Sequence, residues 1–273
     1  MKARVFVGDT RFDAIAADDR GVAYGDGLFE TMRACRGEVP WWDAHWYRLQ
    51  RGAQRLWMAL PDPPLVREEA RQLLSGDDAV LKLIVTRGSG GRGYSPDGAA
   101  TPTWILSRHP LPTQPPDDGI VVRWCETRLA LQPALAGIKH CNRLEQVLAR
   151  AEWNDAAMHG HDAVEGLMRS TEGDVVCATA ANLFVLRDGR WRTPRIDRCG
   201  VEGVCRAWVV DEVAATETRV DVTDVDTADA VFLCNAVRGI LPVARLGNRT
   251  WALHPQVAAL RARLAAAHPA FIL

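Results

Sequence analysis

Lysine is scarce in this chain of 273 residues. Its 33 basic residues include three lysines, Lys2, Lys82 and Lys139, and all the others are arginines. Chemistry that needs a primary amine on a side chain is therefore restricted to three candidates.

Several other signatures are absent from the sequence. The seven cysteines are scattered and form neither a CxxC motif nor the spacing of a metal site. The formal net charge of -1 gives no reason to expect nucleic acid or an anionic membrane as a partner. The beginning of the chain lacks the features of a signal peptide, and no apolar run approaches the length of a membrane span. We expect a cytoplasmic protein with reduced thiols, no metal, no membrane contact and no nucleic-acid partner.

Strands and helices alternate along the chain, which predicts a mixed α/β fold. The segment 111–119 lies in a proline-rich stretch, and proline fixes φ and removes a backbone donor, so we expect a linker there. The predicted domains are residues 1–110 and 120–273. Strands are predicted at 28–34, 79–86, 103–107, 120–125, 163–168, 174–178, 182–187, 219–225 and 230–234. Helices are predicted from 43 to about 60, at 66–74, from about 142, at 202–213 and at 255–267.

Lys139 is the first candidate for chemistry. It lies in the string LAGIKHCNRLEQ, just before a predicted helix. A lysine becomes a Schiff-base nucleophile when its surroundings lower its pKa. The local sequence equally allows a solvated surface lysine, which is the fate of most lysines.

A glycine-rich segment, RGSGGRGYS, follows the strand predicted at 79–86. It matches neither the P-loop nor the dinucleotide-binding fingerprint, because no Lys-Ser/Thr pair and no helix follow it. Its arginines and tyrosine suit a substrate that carries carboxylates, since arginine binds carboxylates bidentately. A mobile surface loop is the alternative.

Two further segments suit an anion. GVEGVCR, from Gly200, opens a predicted helix, and helix N-termini present free N–H groups to phosphate. CNA, from Cys234, ends an apolar strand, where ligands of α/β folds often lie. Each segment alone is weak, because glycine before a helix and asparagine in a turn are common without any ligand.

These segments fall in the order found in one family. The chain resembles the aminodeoxychorismate lyases, which are fold-type-IV pyridoxal-phosphate enzymes related to branched-chain and D-amino-acid aminotransferases. The resemblance spans nearly the whole chain and rests on YGDGLFET, AHWYRLQ, RGSGGRGYS, AGIKHCNRLEQ, AANLF, GVEGVCR and CNAVRGILPV. It implies two α/β domains of the D-amino-acid-aminotransferase-like type with pyridoxal 5'-phosphate between them, and a homodimer.

The resemblance also implies roles for individual residues. Lys139 is implied as the catalytic residue, which binds the cofactor through a Schiff base and later transfers protons. The implied cofactor-binding residues are Lys139, Arg48, Cys177, Gly203, Val204, Asn235 and Ala236. Of these, Arg48 and the backbone N–H groups of the four last-named residues would bind the phosphate. The residues implied to face the substrate are Arg87, Arg92, Tyr94, Glu30 and Thr31.

Cys177 departs from the family pattern. The family usually places a glutamate at this position, where its carboxylate meets the pyridine nitrogen of the cofactor and keeps it protonated. A neutral thiol does this poorly. We therefore expect Cys177 to disfavour transamination while permitting a lyase reaction, whose aromatic product supplies part of the driving force.

The predicted function is conversion of 4-amino-4-deoxychorismate to 4-aminobenzoate and pyruvate, a step of folate synthesis. A branched-chain or D-amino-acid aminotransferase of the same fold is one alternative, and Cys177 together with the RGSGGRGYS loop counts against it. A non-catalytic relative that binds the cofactor is another alternative, and the retained Lys139 counts against that.

Overall fold

The computed structural model describes residues 2–154 and 162–272. The chain divides into two compact units. The first contains Met1–Pro112 and Ile138–Asn142, and the second contains Thr113–Gly137 and Arg143–Leu273. The division after Pro112 falls within the segment expected to be a linker. The sequence analysis assigned the five residues Ile138–Asn142 to the second domain, but in the structure they belong to the first unit.

The first unit is built on a five-stranded antiparallel sheet with the strand order β2-β1-β5-β4-β3. Its strands are β1 (Lys2–Val7), β2 (Thr10–Phe12), β3 (Gly27–Ala34), β4 (Ala79–Thr86) and β5 (Thr103–His109). Its helices are α1 (Arg20–Tyr24), α2 (Trp42–Leu56) and α3 (Pro63–Leu74). Strands β3 and β4 pair along their whole lengths, so the side chains of these two strands are in a fixed register.

Alternation along β3 and β4 separates two faces of this sheet. Leu28, Leu81 and Leu83 are buried on the face that α2 covers, and Gly52 allows close approach because a Cβ there would lie 2.9 Å from a Leu28 methyl carbon. Phe29 and Lys82 lie on the opposite face and are half-buried. The apolar core of the first unit therefore lies between the sheet and its helices.

The second unit contains a nine-stranded mixed sheet. Its strands are β6 (Ile120–Trp124), β7 (Glu165–Arg169), β8 (Val175–Ala178), β9 (Asn182–Arg187), β10 (Arg190–Pro194), β11 (Thr216–Thr218), β12 (Ala230–Asn235), β13 (Gly239–Leu246) and β14 (Arg249–Thr250). Its helices are α4 (Leu144–Ala151), α5 (Val204–Val213), α6 (Val222–Asp226) and α7 (Pro255–Ala267). The strand order is β11-β10-β9-β12-β13-β6-β7-β8, and β14 pairs with β13. The core of this unit lies on the central strands, where Phe184 and Phe232 stack with ring centroids 4.9 Å apart.

The strand predicted at 219–225 is wrong. The structure has the short strand β11 before this segment and the helix α6 within it. Asp221 and Asp224 form a capping box, in which each side chain accepts a hydrogen bond from the backbone N–H of the other residue. This reciprocal cap stabilises the start of a helix, and it outweighs the strand preference of the valines and threonines around it.

Other predicted elements agree with the structure. The strand at 79–86 and the helix at 255–267 coincide with β4 and α7. Strand β10 was not predicted, because its arginines and proline hide the apolar alternation. In residues 2–154 and 162–272, every helix is too short or too polar to cross a membrane.

Candidate active site

The backbone around Lys139 is attached to the edge of β3. Phe29 N–H donates to the Lys139 carbonyl at 2.9 Å, and Cys141 N–H donates to the Gly27 carbonyl at 2.9 Å. The Lys139 Nζ lies 4.3 Å from the centroid of the Phe29 ring. The backbone bonds and the cation–π contact together hold this amine beside the first unit's edge strand.

A buried carboxylate joins β3 to α2. Glu30 is 1% exposed, and its Oε1 accepts from Arg48 Nε at 2.8 Å while Oε2 is hydrogen-bonded to Arg48 Nη2. His45 Nδ1 lies 2.6 Å from Oε2 of the same carboxylate. His45 and Arg48 are three residues apart on α2, so they lie on one side of that helix and can reach the same partner.

Glu30 is ionised in this cluster. Burial alone would raise the pKa of Glu30, but the charge of Arg48 and the hydrogen bonds from His45 and Arg48 outweigh it and lower the pKa to about 2. The pKa of His45 is lowered, chiefly by burial, although Glu30 opposes the shift. A negative Glu30 therefore fixes the guanidinium of Arg48, the residue expected to bind phosphate.

The structure separates Glu30 from Thr31, which were grouped as residues facing the substrate. Neighbouring residues of a strand point to opposite faces, so Glu30 points to α2 and Thr31 points to the other face. The carboxylate of Glu30 is already used by His45 and Arg48. Glu30 thus supports Arg48 in this structure, and Thr31 is the member of the pair on the face that carries Phe29.

Arg87, which was expected to face the substrate, is buried and fully engaged. Its Nε and Nη2 donate to Asp26 at 2.7 and 3.1 Å. Its Nη1 and Nη2 also donate to the carbonyls of Trp57 and Leu56 at 2.8 and 2.7 Å, where α2 ends. This guanidinium fastens the end of α2 to the start of the glycine-rich loop, so its role here is structural.

The glycine-rich loop presents the other two candidates to solvent. Arg92 is exposed, and Tyr94 is 86% exposed with its ring centroid 5.5 Å from that of Tyr24. Gly93 N–H donates to the Tyr24 hydroxyl at 3.3 Å. Both side chains are accessible to a ligand, as a substrate-binding loop requires.

Arg20, on α1, holds this loop in shape, and the sequence reasoning missed it. Its guanidinium donates to the carbonyls of Gly93, Tyr94 and Ser95 at 3.1, 3.1 and 2.9 Å. Its Nε donates to Asp26 at 2.9 Å, so Asp26 binds both Arg20 and Arg87. The position of Arg20 just before the YGDGLFET motif could have drawn attention to it. The local sequence does not indicate that Arg20 contacts residues more than seventy positions away.

In the second unit, the first backbone N–H groups of α5 are not capped by a side chain. Gly203 is its N-cap, no side chain caps the helix, and the first turn contains no acidic residue. A Cβ atom at position 203 would collide with Asn182 Oδ1, and Asn182 is itself held by a 2.9 Å bond from its Nδ2 to the Val201 carbonyl. An uncapped helix N-terminus with a glycine at the cap suits a phosphate group.

The second anion candidate in this unit is the turn after β12. Asn235 Oδ1 accepts from the backbone N–H groups of Val237 and Arg238 at 3.0 and 2.8 Å, and its Nδ2 donates to the Ala180 carbonyl at 3.2 Å. The Asn235 side chain thus shapes the turn. Asn235 and Ala236 could therefore contact a ligand only through their backbone N–H groups.

Cys177 lies in β8, opposite Met168 of β7, and is buried in an apolar cluster. Burial raises the pKa of its thiol to about 12, so the side chain is neutral at physiological pH. The nearest acids along the chain, Glu172 and Asp174, are bound to surface arginines, with Glu172 accepting from Arg198 at 2.5 Å. The position where the family has a glutamate therefore carries no charge.

The cysteines supply neither disulfides nor a metal site in the part of the chain that the structure describes. All seven thiols are free. In residues 2–154 and 162–272, no three His, Cys, Asp or Glu side chains are grouped in a way that could hold a metal ion. The candidate ligand-binding groups are therefore an amine, guanidinium groups and backbone N–H donors.

Comparison with known proteins gives a consistent set of relatives. The family model described as amino-transferase class IV matches residues 27–246. An aminodeoxychorismate lyase of Vibrio harveyi is 36% identical over 235 residues, which cover 83% of this chain and 85% of the lyase. The crystal structure of 4-amino-4-deoxychorismate lyase from Pseudomonas aeruginosa has a TM-score of 0.87 and 40% identity, and the match covers 96% of this chain and 98% of that one. A putative branched-chain-amino-acid aminotransferase of Methanocaldococcus jannaschii is 29% identical over 254 residues, 88% of this chain and 85% of the relative.

Proposed function

The chain belongs to the amino-transferase class IV family, and we propose that it is a pyridoxal-phosphate-dependent aminodeoxychorismate lyase. The proposed reaction converts 4-amino-4-deoxychorismate to 4-aminobenzoate and pyruvate in folate synthesis. The observation that carries the proposal is near-full-length similarity to lyases at 36% and 40% identity, against 29% for the aminotransferase. The RGSGGRGYS and AGIKHCNRLEQ segments add support, because they resemble the lyase branch.

Lys139 is the proposed catalytic residue. Pyridoxal phosphate supplies an electron-accepting ring system to the carbon atom that bears the substrate's amine. Lys139 would hold the cofactor covalently, and its amine, once free, would accept the proton from the carbon atom that bears the substrate's amine. The carbon–oxygen bond to the enolpyruvyl group breaks, and the leaving group gains a proton and becomes pyruvate, so no oxidant or reductant is needed.

Arg48 and two backbone segments are the proposed phosphate ligands. Arg48 is held by the ionised Glu30, which fixes its guanidinium in one orientation. The N–H groups of Gly203 and Val204 lie at an uncapped helix N-terminus, where the helix dipole favours an anion. Asn235 and Ala236 are assigned backbone contacts of the same kind.

Arg92, Tyr94 and Thr31 are the proposed substrate contacts. Arg92 and Tyr94 are exposed on the glycine-rich loop, and Arg92 can bind a carboxylate bidentately. Thr31 lies on the sheet face that carries Phe29, the neighbour of the Lys139 amine. Arg87 and Glu30 are left out, because their polar atoms are engaged within the first unit.

Cys177 favours the lyase over a transaminase in this proposal. A buried thiol with a pKa of about 12 offers no negative charge to a ring nitrogen. Transamination depends more on a protonated ring than a reaction with an aromatic product does. Incubation with D-alanine or a branched-chain amino acid is expected to leave the absorption spectrum of the bound cofactor unchanged, whereas rapid conversion to the amine form would indicate an aminotransferase.

The first test compares the wild type with Lys139→Ala, both supplied with pyridoxal phosphate. We expect the wild type to release pyruvate and 4-aminobenzoate in equal amounts from aminodeoxychorismate, and Lys139→Ala to lose at least about 1000-fold in rate, because the proton acceptor and the covalent attachment are both removed. Lys2→Ala is the matched control, since Lys2 is exposed on β1. Release by Lys139→Ala at the wild-type rate would contradict the role of Lys139, and no release by the wild type would contradict the lyase.

The protein is further proposed to be a cytoplasmic homodimer. Leu144, Val147 and Leu148 of α4 are large apolar side chains that stay more than half exposed, which supports contact with another molecule. The seven free thiols support a reducing compartment. Sedimentation equilibrium is expected to give twice the mass of the chain, and a monomer would contradict the dimer.

A further inference from the structure

A small cavity lies between α2 and the sheet of the first unit, and its volume is about 10 Å³. Glu30 of β3 and Leu83 of β4, which lie directly opposite each other, form part of its wall on the side of the sheet. Helix α2 contributes His45, Trp46 and Leu49. Because a single water molecule needs about 10–15 Å³, a ligand in this cavity can be no larger than a water molecule.

Two side chains of this wall each carry a buried nitrogen atom that needs a partner. Within the described part of the chain, residues 2–154 and 162–272, His45 Nε2 and Trp46 Nε1 have no hydrogen-bond partner. The His45 side chain is 2% exposed, so bulk solvent does not supply one. Buried polar groups in folded proteins are nearly always hydrogen-bonded to protein or to ordered water. The two nitrogen atoms therefore indicate a polar ligand in the cavity.

The contact with Glu30 decides which nitrogen of His45 carries the hydrogen atom. Glu30 is ionised, with a pKa of about 2, and a carboxylate only accepts, so His45 Nδ1 is the donor across the 2.6 Å contact. Burial lowers the pKa of His45, so the ring is mainly neutral at physiological pH and its Nε2 is an acceptor. The indole Nε1–H of Trp46 is a donor only. The cavity is thus lined by one residue that needs a donor and one that needs an acceptor.

We propose that this cavity binds one water molecule, which accepts a hydrogen bond from Trp46 Nε1 and donates one to His45 Nε2. Water satisfies both nitrogen atoms because it donates and accepts at once. An inorganic anion cannot donate to Nε2, and an ammonium ion cannot accept from an indole N–H. The leucines of the wall, Leu49 and Leu83, are buried and apolar, so they confine the water to the polar side of the cavity.

The water extends a chain of hydrogen bonds that leads to Arg48. From Trp46 the chain passes through the water and His45 to Glu30, whose carboxylate binds the Arg48 guanidinium. A donor at His45 Nε2 stabilises the form of the ring in which Nδ1 carries the hydrogen, and so it supports the bond to Glu30. An effect on the cofactor rests on the proposed function, in which Arg48 binds the phosphate, whereas the water site itself does not.

Two measurements on the wild-type holoenzyme test the site. A high-resolution crystal structure is expected to show one ordered water within about 3.2 Å of both His45 Nε2 and Trp46 Nε1. In solution, the indole proton of Trp46 is expected to give a nuclear Overhauser cross-peak with water. The indole proton of Trp251 is the control, because its buried Nε1 donates to the Ala228 carbonyl at 2.9 Å, and it is expected to give none. A crystal structure without a water at these nitrogen atoms, or a Trp46 signal that matches the control, would overturn the proposal.

Trp46→Phe tests the connection to Arg48, because it removes the indole donor and keeps an aromatic ring. Titration of the apoenzyme is expected to give a Kd of pyridoxal phosphate about threefold higher than that of the wild type, since the loss of part of one hydrogen bond has this size. Trp251→Phe loses an indole N–H elsewhere and is expected to match the wild type. An unchanged Kd for Trp46→Phe would overturn the connection to Arg48. The measurements on the water do not require turnover, so a wild type that releases no pyruvate would contradict the proposed function and leave the test of the water site decisive.

Discussion

At the scale of single residues, Glu30 is a carboxylate whose role is to position another side chain, that of Arg48. It is buried, ionised, and bonded to His45 and Arg48. Its neighbour Thr31 points to the opposite face of the sheet. The YGDGLFET motif suggested both residues as substrate contacts, but the pleat of the strand turns Glu30 towards Arg48 and Thr31 towards the opposite face.

Glu30→Gln is expected to weaken cofactor binding. A neutral amide cannot hold the Arg48 guanidinium with two charge-assisted bonds, so Arg48 would lose its fixed orientation. We expect the Kd of pyridoxal phosphate to rise by about tenfold, or about 1.4 kcal/mol. Titration of the apoenzyme with pyridoxal phosphate, followed by absorbance, measures it.

Glu69→Gln is the control for that experiment. Glu69 also pairs with an arginine, Arg4, but in the partly exposed contact between α3 and β1. Its loss is expected to leave the cofactor's Kd unchanged. Equal Kd values for the wild type and Glu30→Gln would contradict the positioning role of Glu30.

At the scale of elements, the short helix α1 organises the glycine-rich loop. Arg20 binds three successive carbonyls of that loop, and Asp26 joins Arg20 to Arg87 at the loop's beginning. The loop is therefore held near both of its ends by two buried guanidinium groups that share one carboxylate. Its exposed tip keeps Arg92 and Tyr94 available.

Arg20→Lys is expected to loosen this loop. Lysine keeps the charge opposite Asp26, but a single ammonium cannot replace a planar fork that reaches three carbonyls. We expect trypsin to cut between Arg92 and Gly93 at least about threefold faster, because the released segment visits more extended conformations. Mass spectrometry of a digestion time course measures the rate. Arg11→Lys, an exposed arginine of β2, is the control, and an unchanged rate for Arg20→Lys would refute the role of α1.

Local patterns predicted elements well where one signal dominated. β4 is mostly apolar and α7 begins with a proline in its first turn, and both lie where the sequence placed them. The strand prediction for residues 219–225 was wrong because the Asp221–Asp224 capping box stabilises a helix there despite the strand-forming side chains. The pattern of α4 predicted a helix correctly, but it could not predict which residues are covered: Ala149 is buried, whereas Leu144 and Leu148 are exposed.

At the scale of the whole molecule, the carboxylates paired with arginines make the free energy of unfolding depend on pH. The pKa of Glu30 is about 2, below its ordinary 4.5, and the pKa of Asp26 is also lowered, because their bonds to arginines outweigh burial. A carboxylate with a lowered pKa stabilises the fold above its unfolded-state pKa, and this stability is lost as pH falls towards the folded-state value. The free energy of unfolding is therefore expected to fall between about pH 5 and pH 2.

Urea unfolding at several pH values measures this dependence. The free energy of unfolding of the wild type is expected to decrease as pH falls from 5 to 2. That of Glu30→Gln is expected to decrease less, because the variant has lost one such group, and the two decreases are expected to differ by about a few kcal/mol at most. A parallel decrease in both proteins would show that Glu30 does not carry the acid sensitivity.

The amino-acid sequence was sufficient to identify the family and the α/β fold class and to place most strands and helices, and it singled out Lys139 as the proposed catalytic lysine. These features depend on short motifs or on local periodicity, which the order of residues contains directly. Tertiary structure alone decided that Arg87 is structural, that Arg20 shapes the loop, that Glu30 faces Arg48, and that Lys139 pairs with β3. Those contacts join residues that lie between 18 and more than a hundred positions apart in the sequence. They form because the folded chain brings buried charges and backbone groups to partners that compensate them. No local sequence pattern encodes such long-range pairing.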